Sequence, residues 1–357
     1  MSLPVNLTRH NVGYNIGYDL QGNWQIVVVV KATFHWQRDG SVVAVDPLPI
    51  LDRDESEGDG GGGPLRAADV GDPKPKVDVL LAGALVFPIA IDRIVVRLQI
   101  GSRIDKKVLV FGDRFWVPGL MADAVPSSPK PTQRVPIRWD RSSGGAVATD
   151  PRQTDGRNPA GSGAAAHPND LHGKPAPNFE DPTQEIASSK TRPAPFGFGP
   201  VAAHWSSRAS LAGSYDDNWR QHRFPLPPTD LDPRFFNVAP DDQQLETYLP
   251  GESVRLTYMT MNGHDRFALP EFSVPVTIVS TEDFIEERAT VDTVVIEPEE
   301  QRFSLTARAA GPLRPGPEAI KHVVVGSLTK GLRAALELGK NHVLLRSGGA
   351  TIRGKRG

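Results

Sequence analysis

Three pairs of aspartates, Asp216 and Asp217, Asp230 and Asp232, and Asp241 and Asp242, fall within one stretch of this sequence. Two carboxyl groups held roughly 5 to 9 Å apart on a β scaffold equip a protein to hydrolyse a glycosidic bond. Sequence spacing does not set that distance. Aspartate also accepts hydrogen bonds from free backbone N–H groups at helix starts and turns. Capping is therefore the preferred reading of these residues, and a carbohydrate-active hydrolase is the alternative function. His167, Asp170 and His172 have the side chains of a metal trio, but nothing around them fixes a coordination geometry. Surface histidines are the simpler expectation, and no metal or cofactor is expected.

Other chemistries lack their residues. The chain has no cysteine, which removes disulfides, thiol nucleophiles, Fe–S clusters and cysteine-based zinc sites. Gly339-Lys340 has neither the upstream glycine nor the following Ser/Thr of a phosphate loop. A Gly-x-Ser-x-Gly elbow and a His-Glu-x-x-His pair are also missing from the sequence.

Protein binding is better supplied. Asp232-Pro-Arg-Phe-Phe-Asn237 mixes rigid, charged and aromatic residues without amphipathic order. Phe235 and Phe236 are adjacent and cannot both face one way in a strand. Aromatics beside Arg234 suit a protein-binding hot spot, with burial of both rings under a loop as the bland alternative. The segment Phe196-Gly-Phe-Gly-Pro200 reads as a shaped corner, since its glycines permit close backbone approach and its proline fixes φ.

The elements that must position these residues are strands. Val12, Tyr14, Ile16, Tyr18 and Leu20 alternate, and Trp24, Ile26, Val28, Val30, Ala32, Phe34 and Trp36 alternate again. Gln21-Gly22-Asn23 and Asp39-Gly40 supply the reversals. Val27 and Val29 make the second strand apolar on its other face too, so its centre should be covered twice, while Lys31, Thr33 and His35 give it a polar end. Further strands follow an acidic, glycine-rich loop over Asp52–Gly63, and Asn262-Gly263 marks a hairpin. Ser214-Tyr-Asp-Asp217 resembles a capping box for a short helix carrying Trp219, and Thr329 caps a helix with Leu332, Ala335 and Leu336 that closes at Gly339.

The expected class is mainly β: an antiparallel sandwich or barrel-like sheets, a long Pro/Gly-rich coil and few short helices. Residues 1–117 form the first β region, 118–195 a partly ordered coil anchored by Trp139 and Phe179, 196–347 a second β region packed on the first, and 348–357 a basic tail. Among 357 residues, 34 Gly and 33 Pro fit this abundance of turns. The formal net charge of -2 gives no global field toward nucleic acid or anionic membrane, and neither is an expected partner. No secretory leader and no run near the ~20 apolar residues of a membrane span are visible, so a cytoplasmic protein is expected.

Taken together, Val29-Val-Lys-Ala-Thr-Phe34, Lys74-Pro-Lys-Val-Asp-Val-Leu80, Phe111-Gly-Asp-Arg-Phe-Trp116, Phe198-Gly-Pro200, Gly213-Ser-Tyr-Asp-Asp-Asn-Trp219 and Asp232–Gln244 form an ordered set. Over about residues 10 to 345 the chain resembles a bacterial domain-of-unknown-function family encoded beside type VI secretion effectors. It departs from that pattern at Ser142-Ser-Gly-Gly145, where Phe-Gly-Gly is usual, and at Gly331-Leu332, where Gly-Trp is usual. The resemblance implies a non-enzymatic adaptor or chaperone. Such a protein binds a toxin effector in the cytoplasm and helps load it onto the valine-glycine-repeat spike or its tip protein. Trp205, Trp219, Arg234, Phe235 and Phe236 are the candidate effector-binding residues.

Overall fold

Strand Trp24–Trp36 is the spine of the molecule: Ile26 to Val30 are all buried, so both of its faces are covered. β-branched residues suit this position because their restricted rotamers pack well on a pleated surface. The strand pairs antiparallel with Asn11–Tyr18 and with Arg302–Pro312, so that Val28 stands between Tyr14 and Ala309. Its predicted polar end is more deeply covered than expected. Lys31 and Thr33 are buried, because the Lys31 ammonium donates to Asp69 at 2.6 Å and to the Pro49 carbonyl at 3.1 Å.

The computed structural model describes residues 4–56, 63–120, 123–147 and 150–338. Part of the acidic loop, Gly339 and the basic tail therefore lie outside the described residues. The protein is mainly β. Its large sheet runs from Asn11–Tyr18 through Trp24–Trp36, Arg302–Pro312, Phe284–Glu297, Val274–Ser280 and Ile320–Val325 to Val5–Asn6. Two pairings of this large sheet correct the purely antiparallel expectation: Val5–Asn6 runs parallel to Ile320–Val325, and Val77–Leu81 runs parallel to Phe284–Glu297. Hairpin succession imposes antiparallel pairing, whereas strands far apart in sequence are free of that constraint.

The second sheet is ordered Phe179–Glu180, Ile104–Phe111, Arg93–Ile100, Ser253–Thr257, His264–Ala268. An aromatic stack joins the two sheets: Phe267 of the smaller sheet lies 4.7 Å from Trp36 and 4.9 Å from Phe303 of the larger. Strand pairing joins the regions before 117 and after 196: Trp24–Trp36 pairs with Arg302–Pro312 and Arg93–Ile100 with Ser253–Thr257. One buried apolar cluster spans both sheets.

Ordered coil covers this core. Trp139 and Phe179 are buried, as expected of anchors, and Trp116, Ala124, Leu171, Ala176 and Ile186 form a small satellite cluster. Three short α-helices occur among the described residues, Ser206–Ala209, Asp217–His222 and Lys330–Glu337. Thr329 caps the last by accepting from the Leu332 N–H at 3.2 Å. The hairpin at Asn262-Gly263 is present, with Gly263 at φ 76°, but its loop runs over residues 258–263 rather than being a two-residue turn. No described helix is long and apolar enough to cross a membrane.

Candidate functional site

The stretch Asp232–Gln244 builds two different things. Its second half closes a buried polar knot on Asp78, a residue with 0% exposure. The N–H groups of Val238 and Ala239 donate to the Asp78 carboxylate at 2.9 and 3.2 Å, Asn237 Nδ2 at 2.9 Å and Lys74 Nζ at 2.7 Å. A carboxylate can be held this deep because both oxygens are saturated by donors, one of them charged.

One turn further on, Asp242 and Gln243 each accept from the buried Lys106 ammonium at 2.8 Å. That ammonium also lies 4.6 Å from the Phe196 ring centre and 5.5 Å from that of Phe198. Burial pushes the Lys106 amine down from its ordinary pKa, and Asp242 opposes the shift. Gln243 Nε2 donates to the carbonyls of Val79 and Phe198 at 2.7 and 3.0 Å. The Phe-Gly-Phe-Gly-Pro corner is thus a core element. A Cβ at Gly197 would lie 3.3 Å from the Trp139 ring, and Trp139 Nε1 donates to the Pro200 carbonyl at 2.7 Å. Trp205 packs edge-on against Trp139 at 5.7 Å and is 1% exposed. Its ring is not at the surface, which corrects its placement among the effector-facing residues: the flat apolar face of Trp139 competes successfully for it.

The first half of the stretch faces outward. Asp232 caps the 3-10 helix Pro233–Phe236 by accepting from the Arg234 N–H at 2.9 Å, and the exposed Arg234 guanidinium folds back onto the same carboxylate. Phe235 and Phe236, both half-buried, meet edge-on at 5.9 Å. Opposite them, Asp216 caps helix Asp217–His222 by accepting from the Trp219 N–H at 2.8 Å. The cap is Asp216, not Ser214, whose N–H and hydroxyl donate to Asp230 at 3.0 and 2.7 Å instead. Trp219 Nε1 donates to the Leu226 carbonyl at 2.9 Å, and Tyr215 and Phe224 lie edge-on to its ring.

These walls enclose an open cleft of about 420 Å³ lined by Tyr215, Trp219, Phe235, Phe236 and Pro225 to Pro227, with Tyr18 to Gln21, Gln25 and Asp72 as its floor. Three of the five candidate residues therefore meet in one place, and Arg234 stands on the same turn. The floor comes close because Gly22, at φ +92°, has no side chain: a Cβ there would lie 2.9 Å from Leu226. Burial raises the Asp72 carboxyl, opposed by Arg308 and by a hydrogen bond from Gln25. Tyr215 was not singled out from sequence; it lies just before the Asp216 cap, outside the helix, and reaches Trp219 from there.

The remaining aspartates do local work. Asp217 pairs with Arg220 at 2.8 Å and Asp242 with Lys106. In the coil, Asp170 turns back to accept from the His167 N–H at 3.0 Å, capping the 3-10 helix Pro168–Leu171. Among the described residues, no group of three or more His, Cys, Asp and Glu side chains is arranged to hold a metal ion.

The model of a family described as an uncharacterized protein conserved in bacteria (DUF2169) matches residues 21–308. The chain belongs to this family. The match takes in both walls of the cleft and both buried knots. No curated protein and no solved structure matches the chain.

Proposed function

We propose that this DUF2169 member is a non-enzymatic adaptor that binds a type VI secretion toxin effector in the cytoplasm of the producing bacterium. It then helps load the effector onto the valine-glycine-repeat spike or its tip protein. The secretion context rests on the resemblance of the signature motifs. One structural observation carries the binding role: Trp219, Phe235, Phe236 and Tyr215 line a single open cleft beside the exposed Arg234. Rigid aromatic rings next to arginine give large contact area at low entropic cost, the composition of binding hot spots. The six aspartates that suggested hydrolysis have structural partners or lie at turn starts, and no observation favours the hydrolase over the adaptor.

Coexpression with the effector encoded beside this chain is the direct test. An adaptor stabilises its cargo by mass action, so the effector should accumulate with it and fall away without it. Pull-down by the wild-type chain, weakened in Phe235→Ala, Phe236→Ala and Trp219→Ala variants that remain folded, is the expected result. Equal recovery of effector with all three variants would exclude the cleft, and no recovery with wild type would exclude the adaptor role for that pair.

A further inference from the structure

Cations on the five-stranded sheet mostly have partners. Arg97 holds Asp105 with bonds of 2.5 and 2.6 Å, Arg103 pairs with Glu252 and Arg93 with Glu185. At one end of the sheet the pattern breaks. Arg38, Arg255 and Arg266 are exposed and line an open cleft of about 600 Å³ together with Ser253, Thr257 and His264. None of the three has an ion-pair partner among the described residues; Arg266 donates only to the Ser253 hydroxyl, at 3.1 Å.

Two of these arginines stand directly opposite each other, Arg255 on Ser253–Thr257 and Arg266 on His264–Ala268. Like charges in directly opposed cross-strand positions destabilise a sheet. Asp39 and Asp265 line the same cleft, but no nearby carboxylate among the described residues forms an ion pair with these arginines. Asp265 is buried and accepts from Trp36 Nε1 at 3.1 Å and Asn262 at 2.9 Å. Asp39 accepts from the Ser41 N–H and hydroxyl at 2.9 and 2.7 Å, and Glu252 is held by Arg103.

Beside this cluster the hairpin loop exposes Tyr258 and Met261. The Tyr258 ring lies 4.9 Å from that of His264, and its backbone sits at φ 54°, a left-handed conformation that is unfavourable for a bulky residue. Arg, Tyr and Met are the side chains enriched in protein interfaces.

We propose that this end of the sheet is a docking site for an acidic segment of a polypeptide partner. Carboxylates of that segment pair with Arg38, Arg255 and Arg266, and its apolar residues rest on Tyr258 and Met261. Guanidinium forks donate to carboxylates in bidentate geometry, and Arg255 and Arg266 present two such forks side by side on paired strands. A nucleic acid fits less well: Trp36 and Phe267 are committed to the core stack, and the rings beside the arginines, Tyr258 and His264, already rest against each other. The chain's net charge of -2 also gives no general attraction for a polyanion. This site is separate from the aromatic cleft and does not depend on the effector being its ligand.

Fluorescence anisotropy of a labelled peptide of alternating Glu and Thr, titrated with the full-length chain, tests the proposal. Binding should weaken by about tenfold or more in Arg255→Gln/Arg266→Gln, a difference of roughly 1.4 kcal/mol. It should weaken measurably in Arg38→Gln, whose turn lies outside the sheet, and stay at the wild-type value in Arg152→Gln. The matching Gln/Thr peptide should not bind. Because a like-charge opposition is removed, the double variant should melt at or above the wild-type temperature. Undiminished peptide binding by the double variant, no binding by wild type at low salt, or equally tight binding of a labelled oligo-dT strand would each overturn the proposal.

Discussion

Pro233–Phe236 and Asn237–Gln243 are consecutive in the chain, yet the first leaves aromatic rings partly in solvent and the second carries polar side chains into the core. The first run holds two phenylalanines half-exposed at the lip of a cleft, while the second buries Asn237 and Gln243 at 3% and 0% exposure. Buried polar groups need partners, and the second run supplies donors to Asp78 and acceptors to Lys106, which holds the chain in one arrangement. Half-exposed rings have no such requirement and are free to meet something else. The aromatic run is therefore the one in which binding and stability can be separated by mutation.

The largest expected effect is on the buried side of this contrast. Asp78→Ala leaves the buried Lys74 ammonium without its counter-charge and the Val238 and Ala239 N–H groups without their acceptor, and should lower unfolding free energy in urea by about 3 to 5 kcal/mol. A loss under about 1 kcal/mol, the ordinary effect of a point substitution, would break the comparison. Gln243→Ala should follow at about 2 to 3 kcal/mol, since it removes a donor from the carbonyls of Val79 and Phe198 and one acceptor from Lys106.

On the exposed side, Phe236→Ala should reduce effector binding by about 1 to 4 kcal/mol, read from isothermal titration. Its stability loss should be near 1 to 2 kcal/mol, because only part of the ring leaves water on folding. A stability loss as large as that of Asp78→Ala would show the ring to be core rather than surface. Arg234→Ala should leave the denaturation midpoint where it is and act, if anywhere, on the binding isotherm.

A smaller effect is tied to pH at the cleft floor. Burial raises the Asp72 carboxyl, so the folded chain holds this proton more tightly than the unfolded one. The contribution therefore favours folding at acid pH and is lost as pH rises out of the ordinary carboxylate range. Asp72→Asn should gain stability relative to wild type at neutral pH, and the gain should vanish below about pH 4. A gain that persists unchanged at acid pH would mean that packing, not the charge, is responsible.

Much of the framework was legible from the residues alone. Alternation from Val12 to Trp36 foretold both strands and their reversals, the Asn262-Gly263 pair marked a real hairpin, and Thr329 marked a real helix start. These signals are local: period-two burial, positive φ at glycine and capping by a side-chain oxygen each act within a few residues. The aspartates at Asp216 and Asp232 were legible for the same reason, since a cap bonds to N–H groups two or three positions ahead.

Whether an aromatic or charged side chain ends inside or outside depends instead on what distant sequence brings against it, and there the tertiary structure decided. Trp205 and Trp219 look alike in sequence, yet Trp139, 66 positions before Trp205 in the numbering, supplies a flat partner that buries one, while the turn at Tyr18 to Gln21 leaves the other lining a cleft. Lys106 stands in phase with the core residues Ile104, Val108 and Val110, a face where a charge is unexpected, and it is tolerated there because the corner at Phe196 and Phe198 and the acceptors of Asp242 and Gln243 close over it. The parallel pairing of Val77–Leu81 with Phe284–Glu297 was equally invisible in either segment. Periodicity says that a face is covered; only the assembled sheets say by what, because the contacts that settle the free energy of a buried charge or ring are made across the fold and not along the chain.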